Sequence, residues 1–349
     1  MSVQGAVERK GAAVKKYTVG AAVISLGILA TPAIVRRLDH LRSEGSARDP
    51  RCTAGREVRE GITSRDGTAL HVEYCGDAGP TVFFAHGWTC NHTIFRHQMS
   101  HLCDRYRVVS MDQRGHGKSA VPLSGDFSID RLAEDLKAVV DAFDPEEFVV
   151  AGHSMGGFTS FKFHEHFGEE YRGRLKGMMI IDSTGTDVLQ GIYMSSLVSR
   201  LYPYPLSPFL VMGGRQNRLV EMARKMLSNT SFAYLICRWA AFGKKPPADE
   251  VELQREMTFS TPVPVTSLAA KACFDYHVEE HLPDVDVPVI MFVGTKDKLT
   301  SDKVNRRTCA VLPDARLVVY EDAGHSTHLE RTEEFNVEMD AFLEACFGR

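Results

Sequence analysis

The chain has 349 residues, 44% of them hydrophobic and 25% charged, enough for one or two domains around a large core. A formal charge of −4, with no basic run interleaved with aromatics, excludes a nucleic-acid binder. The eight cysteines include no C-x-x-C pair, which argues against a structural zinc site and predicts free or buried thiols rather than a disulfide framework.

The first fifty residues stand apart. Tyr17 to Val35 is 19 residues without a charge, bracketed by Lys15-Lys16 and Arg36-Arg37. At about 1.5 Å per residue, a helix of that length crosses a bilayer core. The stretch predicts a single-pass N-terminal membrane anchor, with a cleaved export signal as the alternative. Residues 36–54 are charged and small and read as a linker, so that 1–54 lies outside the globular part.

From there, short apolar runs alternate with helical periods. Strands are expected at Val58–Ile62, Ala69–Tyr74, Thr81–Ala85, Val108–Met111, Phe148–Ala151, Met178–Ile181, Val287–Val293 and Arg316–Tyr320. Arg65-Asp66-Gly67-Thr68 is a hairpin signal between the first two. Later strands are continuous apolar runs, which suits parallel strands covered on both faces. In 128–143, Ile129, Leu132, Leu136, Val139, Val140 and Phe143 fall on one helical face, with Ser128 placed to cap it. Such alternation predicts an α/β fold with a mostly parallel, doubly wound sheet. Residues 186–264 break it: they are helical, aromatic and rich in methionine, and far longer than a usual crossover. They predict a helical cap inserted between two halves of a core, 55–185 and 265–349.

Four loops carry chemistry. Gly152-His153-Ser154-Met155-Gly156 follows a strand and opens a helix. A serine on so sharp a turn needs small neighbours, which Gly152 and Gly156 supply. His86-Gly87-Trp88 follows an earlier strand, where a backbone N–H can join that of Met155 in an oxyanion hole. Asp297 lies three residues past Gly294, and His325 follows Gly324 after the last strand. Ser154, Asp297 and His325 therefore occur in the order nucleophile, acid, base, each just past the C-terminal end of a strand. Asp182, which ends the strand before the cap, competes for the acid, and His328 competes for the base. His153 and His86 read as hydrogen-bonding supports. Asp112, Arg114 and His116 read as braces of their loop, and His92, His97 and His101 as a solvated helix face.

The chain resembles the α/β-hydrolase superfamily in its capped, esterase-like form. The resemblance rests on His86-Gly87, the Asp112–Ser119 loop, the GHSMG turn, the Gly294–Asp297 turn and Gly324-His325, and it spans about 56–347. It implies an eight-stranded α/β-hydrolase fold with the cap after the sixth strand. It implies a Ser154–His325–Asp297 triad, with the N–H groups of Trp88 and Met155 as oxyanion donors. No metal or cofactor is implied. The implied partner is a small-molecule ester with an apolar acyl group, of the lipid-like or monoacylglycerol kind; no nucleic acid is implied. Four other readings stay open on the same fold: hydrolysis of a C–C bond, opening of a lactone, haloperoxidase-like perhydrolysis, and a non-catalytic binding protein.

Overall fold

The computed structural model describes residues 56–348, apart from 78, 194, 203–205 and 216–217. The eight strands are β1 (Glu57–Val58), β2 (Val72–Cys75), β3 (Thr81–Ala85), β4 (Arg107–Met111), β5 (Phe148–His153), β6 (Leu175–Ile181), β7 (Val289–Gly294) and β8 (Ala315–Tyr320). They form one sheet in the order β1-β2-β4-β3-β5-β6-β7-β8. The β1–β2 and β2–β4 pairs are antiparallel, and every other pair is parallel. Thr63 and Ala69 bridge across the turn at Arg65–Thr68, where the sequence places a hairpin.

Side chains alternate across this sheet with the period of two that a strand imposes. Phe83, Phe148, Val150, Val289 and Met291 point into one core layer, and Val82, Phe84, Val149, Ile290 and Phe292 into the other. The first layer is covered by α2 (Ile129–Phe143) and α3 (Met155–Phe167), the second by α1 (Arg96–Leu102) and α12 (Thr332–Phe347). Strands buried on both faces have no room for polar alternation, which is why they read as unbroken apolar runs. In α2 the expected face is buried, with Phe143 half-buried. Ser128 occupies the cap position but makes no side-chain capping bond; its own N–H is taken by Asp126 Oδ1 at 2.9 Å.

Between β6 and β7 lie α4 (Ser195–Leu201), α5 (Ser207–Gly213), α6 (Arg218–Ser228), α7 (Ser231–Ala241), α8 (Ala248–Ser260) and α9 (Val263–Phe274). The helical stretch thus runs ten residues past the expected boundary at 264. Polar bonds tie it to the core. Trp88 Nε1 donates to Thr266 O at 2.9 Å, and His97 meets Glu250 at 2.8 Å. After β7 come α10 (Asp302–Val311), then α11 (Thr327–Glu330) and α12.

Three expectations are corrected. Among the described residues, no helix is long and apolar enough to cross a membrane, which overturns the reading as a single-pass membrane protein; residues 17–35, which prompted it, lie outside the described residues. Cys75 and Cys103 form a disulfide instead of remaining thiols. The end of β2 and the residue after α1 are 28 positions apart in sequence yet 5.5 Å apart at Cα, within the reach of a disulfide. Cys90, Cys237, Cys273, Cys309 and Cys346 are free, and Cys52 lies outside the described residues. His92 and His97 do not lie on a solvated face, since each meets a buried carboxylate, whereas His101 stays exposed beside Asp340.

His92 is the most buried of the three. Its Nδ1 lies 2.8 Å from Asp112 and its Nε2 lies 2.9 Å from Glu73. Burial opposes its charge, but the two carboxylates outweigh burial and raise its pKa to about 9. The stabilisation is fully present below the unfolded value of 6.5 and is lost as pH rises through about 9. Glu73 is held below its ordinary range, chiefly by the His92 bond, so its contribution fails on the acid side. His92→Gln should therefore destabilise the fold by about 3 kcal/mol below pH 6.5. Chemical denaturation of both proteins from pH 6 to 10 should show the gap narrowing towards high pH; a gap independent of pH would contradict the charged pair.

Candidate active site

The site forms where β3 and β5 lie side by side. From β3 the chain crosses to β4 on one side, and from β5 it crosses to β6 on the other. Loops leaving such neighbours diverge and open a crevice at the strands' C-terminal ends.

Ser154 is the single residue between β5 and α3. Its φ of 52° and ψ of −115° are strained for a residue with a side chain. The strain is tolerated because the backbone around it closes tightly. A Cβ on Gly156 would sit 1.9 Å from the Ala85 carbonyl oxygen, and one on Gly152 would sit 2.1 Å from that of Gly156. Both positions are therefore closed to any side chain, so α3 can start against β3. Gly87 is confined from the same side, since a Cβ there would meet His153 Nδ1 at 2.7 Å.

The structure brings Ser154, His325 and Asp297 into one hydrogen-bonded chain. Ser154 Oγ lies 2.8 Å from His325 Nε2, and His325 Nδ1 lies 2.8 Å from Asp297 Oδ2. With Nδ1 protonated towards the carboxylate, Nε2 presents its lone pair to the hydroxyl. Such a chain can draw a proton from Ser154 and return it. Asp297 is fixed through its other oxygen, which accepts the N–H groups of Leu299 at 2.7 Å and Thr300 at 2.9 Å.

The competing residues lie close by but make other bonds. Asp182 Oδ2 accepts from Thr327 N–H and Oγ1–H, both at 2.8 Å. Burial, helped by the Asp297 charge, pushes its carboxyl well above the ordinary range. His328 is buried and packs its ring on His153 at 4.8 Å. Among the described residues its ring nitrogens have no hydrogen-bond partner.

Electrostatics separate the histidines of this cluster. Burial, and then the neighbouring His116, push His86 down to about 3. Burial, and then the charge of His325, push His153 down to about 3 as well. Burial takes His328 well below its ordinary value. Burial also acts against a charge on His325, but the Asp297 carboxylate outweighs it and raises this one imidazole. Of these four clustered histidines, only His325 is raised.

The neutral histidines act as struts. His153 Nε2–H donates to His325 O at 2.8 Å, holding the His325 loop. His86 donates from Nδ1 to Gly87 O at 2.8 Å and accepts the Gln113 N–H on Nε2 at 2.9 Å. Asp112 accepts the Lys118 N–H at 2.8 Å, and Arg114 grips Asp135 through two bonds of 2.6 Å, so both brace their loop. His116 bonds within the same loop, its Nδ1 lying 3.0 Å from Arg114 O.

Trp88 lies beside Ser154 at a cavity of about 480 Å³. Phe158, Leu210, Ala270, Cys273 and Leu299 also line it, and no charged side chain is among its described lining. Met155 turns its side chain into the core and leaves its backbone at the first position of α3.

Two supports escaped the sequence reading. Thr300 Oγ1 lies within bonding distance of Asp182 O, Asp297 Oδ2 and His325 Nδ1, at 2.8, 3.0 and 3.3 Å. An Asp followed three residues later by Thr is a local turn pattern that can flag it. Glu330 accepts the N–H groups of Gly324 at 2.7 Å and Gly243 at 2.9 Å, joining the His325 loop to the end of α7. One of those partners is 87 residues away, so no local signal exists.

Comparison with known proteins agrees with this fold. Residues 80–332 match the family model described as alpha/beta hydrolase fold. The AB hydrolase superfamily protein YisY of Bacillus subtilis is 25% identical over 79% of this chain and 95% of its own. The 3-oxoadipate enol-lactonase 2 of Acinetobacter baylyi is 22% identical over 82% of this chain and 97% of its own. A thermophilic esterase from Thermogutta terrifontis superposes with a TM-score of 0.65 at 23% identity, covering 84% of this chain and all of that one. The chain is a hydrolase of the α/β-hydrolase superfamily.

Proposed function

We propose that this hydrolase cleaves carboxylic esters with an apolar acyl group, through a Ser154–His325–Asp297 triad and an acyl-enzyme. The observation that carries the reading is the pair of 2.8 Å contacts linking Ser154 to His325 and His325 to Asp297, at the wall of an uncharged cavity.

Ser154 Oγ attacks the ester carbonyl while His325 Nε2 takes its proton. Asp297 holds the Nδ1–H and offsets the charge of the imidazolium. The backbone N–H groups of Met155 and Trp88 donate to the oxyanion, each contributing about 3 kcal/mol to the transition state. His325 then hands its proton to the departing alcohol. Water repeats the sequence on the acyl-enzyme, and the acid leaves. Asp182, whose carboxyl burial pushes up, is held by Thr327 rather than by His325.

Lactone opening would use the same groups. A lactone bearing its own carboxylate would find no cation along the described lining, and an unpaired charge in such a cavity is costly. The lining favours an uncharged, apolar ester.

Three outcomes check the reading. Ser154→Ala should lower turnover of p-nitrophenyl esters by roughly ten-thousandfold or more with an unchanged melting temperature; substantial remaining activity would remove Ser154 from its role. The base works deprotonated, and its pKa is raised, so kcat/KM should rise with pH through a midpoint above 6.5. Asp297→Asn should lower both that midpoint and kcat, and a profile flat from pH 5 to 9 would contradict a histidine base. Finally, kcat/KM should climb with acyl length from acetate, by about 0.8 kcal/mol of binding per buried methylene until the cavity fills. A preference for acetate would contradict the apolar assignment.

A further inference from the structure

Helices α6 and α7 follow one another with only Asn229 and Thr230 between them, and both leave apolar side chains outside. Met222 and Met226, one turn apart on α6, are 56% and 72% exposed. On α7, Phe232, Leu235, Ile236 and Trp239 share one exposed face at helical spacing, with Trp239 56% exposed. Large apolar groups gathered on neighbouring helices mark a contact surface rather than scattered surface residues.

The charge around this surface is unlike that of the rest. Residues 215–245 hold seven basic side chains and one acidic one, +6 in a chain of −4, which leaves −10 elsewhere. Beside α6 lies a groove of about 530 Å³ lined by Arg218, Arg224, Lys225, Met222, Pro262 and Glu221, among others. The acid there is already engaged: Glu221 accepts from Arg224 Nε at 2.7 Å and from Val263 N–H at 2.6 Å. Arg218 and Lys225 form no ion pair among the described residues.

We infer that α6 and α7 dock on an anionic lipid surface, with a phosphate headgroup in the basic groove and the methionine and aromatic faces in the acyl layer. An apolar stripe flanked by Lys and Arg is the pattern of helices that lie along such a surface. Charge complementarity selects this occupant. A second copy pairing through the same face would set +6 against +6. The contact is peripheral and made by the cap alone, independently of residues 17–35. It also reaches the site: Lys298, next to Asp297, donates from Nζ to Trp239 O at 2.6 Å and lies 5.5 Å from the Trp239 ring centre. Apolar molecules in that surface therefore lie close to the loop that carries Asp297.

The chain has two tryptophans, Trp88 and Trp239, so fluorescence reads this face without any turnover assay. The full chain is titrated with phosphatidylglycerol or phosphatidylcholine vesicles whose acyl chains carry bromine. The anionic vesicles should quench and blue-shift the emission, and Trp239→Phe should abolish the change. Arg218→Glu with Lys225→Glu should raise the lipid needed for half-quenching roughly tenfold or more, with hydrolysis of a short soluble ester unchanged as the sign of an intact fold. No quenching, equal quenching by both lipids, or indifference to charge reversal would each overturn the proposal. So would protection of Trp239 by a soluble acidic protein but not by vesicles.

Discussion

Ser154 stands at φ 52° and ψ −115° because it is the one residue between the end of β5 and the start of α3. That turn is the constraint on which the site depends. It exists only while Gly156 lies against the Ala85 carbonyl and Gly152 against the Gly156 carbonyl, at separations that leave no room for a Cβ. The turn lifts the hydroxyl clear of the sheet and puts the first N–H groups of a helix beside it. It also places Ser154 next to the loop after β3, since β3 and β5 pair residue for residue up to Ala85 and Gly152.

The other two members of the chain of bonds come from the far side of the cap. Asp297 follows β7 and His325 follows β8, and their loops are held from several directions. His153 holds the carbonyl of His325, Glu330 holds Gly324, and the Leu299 and Thr300 N–H groups hold Asp297. An imidazole held at both its ring and its backbone needs little rearrangement to accept a proton, the condition under which fixed dipoles contribute most. Burial pushes His86, His153 and His328 down and Asp182 up, and of the four clustered histidines His325 alone is raised.

Much of this was legible in the sequence because it is local. The strands at Thr81–Ala85 and Phe148–His153 are short apolar runs, and the glycines around Ser154 report the backbone they must form. The chain order of Ser154, Asp297 and His325 pointed to one sheet edge. What escaped depends on distant partners. The Cys75–Cys103 bond joins segments that meet only in the folded sheet. His92 reads as the start of a solvated helix, but it lies in a short turn, His92–Phe95, ahead of α1 and faces carboxylates on β2 and beyond β4. The hydropathy of residues 17–35 suggested a spanning helix, and hydropathy alone does not establish one.

The most direct test of the central claim is the rate at which a fluorophosphonate forms a covalent adduct, followed by intact mass and located by peptide mapping, as a function of pH. The account predicts one adduct, on Ser154, forming faster as pH rises through a midpoint above 6.5, the ordinary histidine value. No adduct, an adduct on another residue, or a rate indifferent to pH would contradict it.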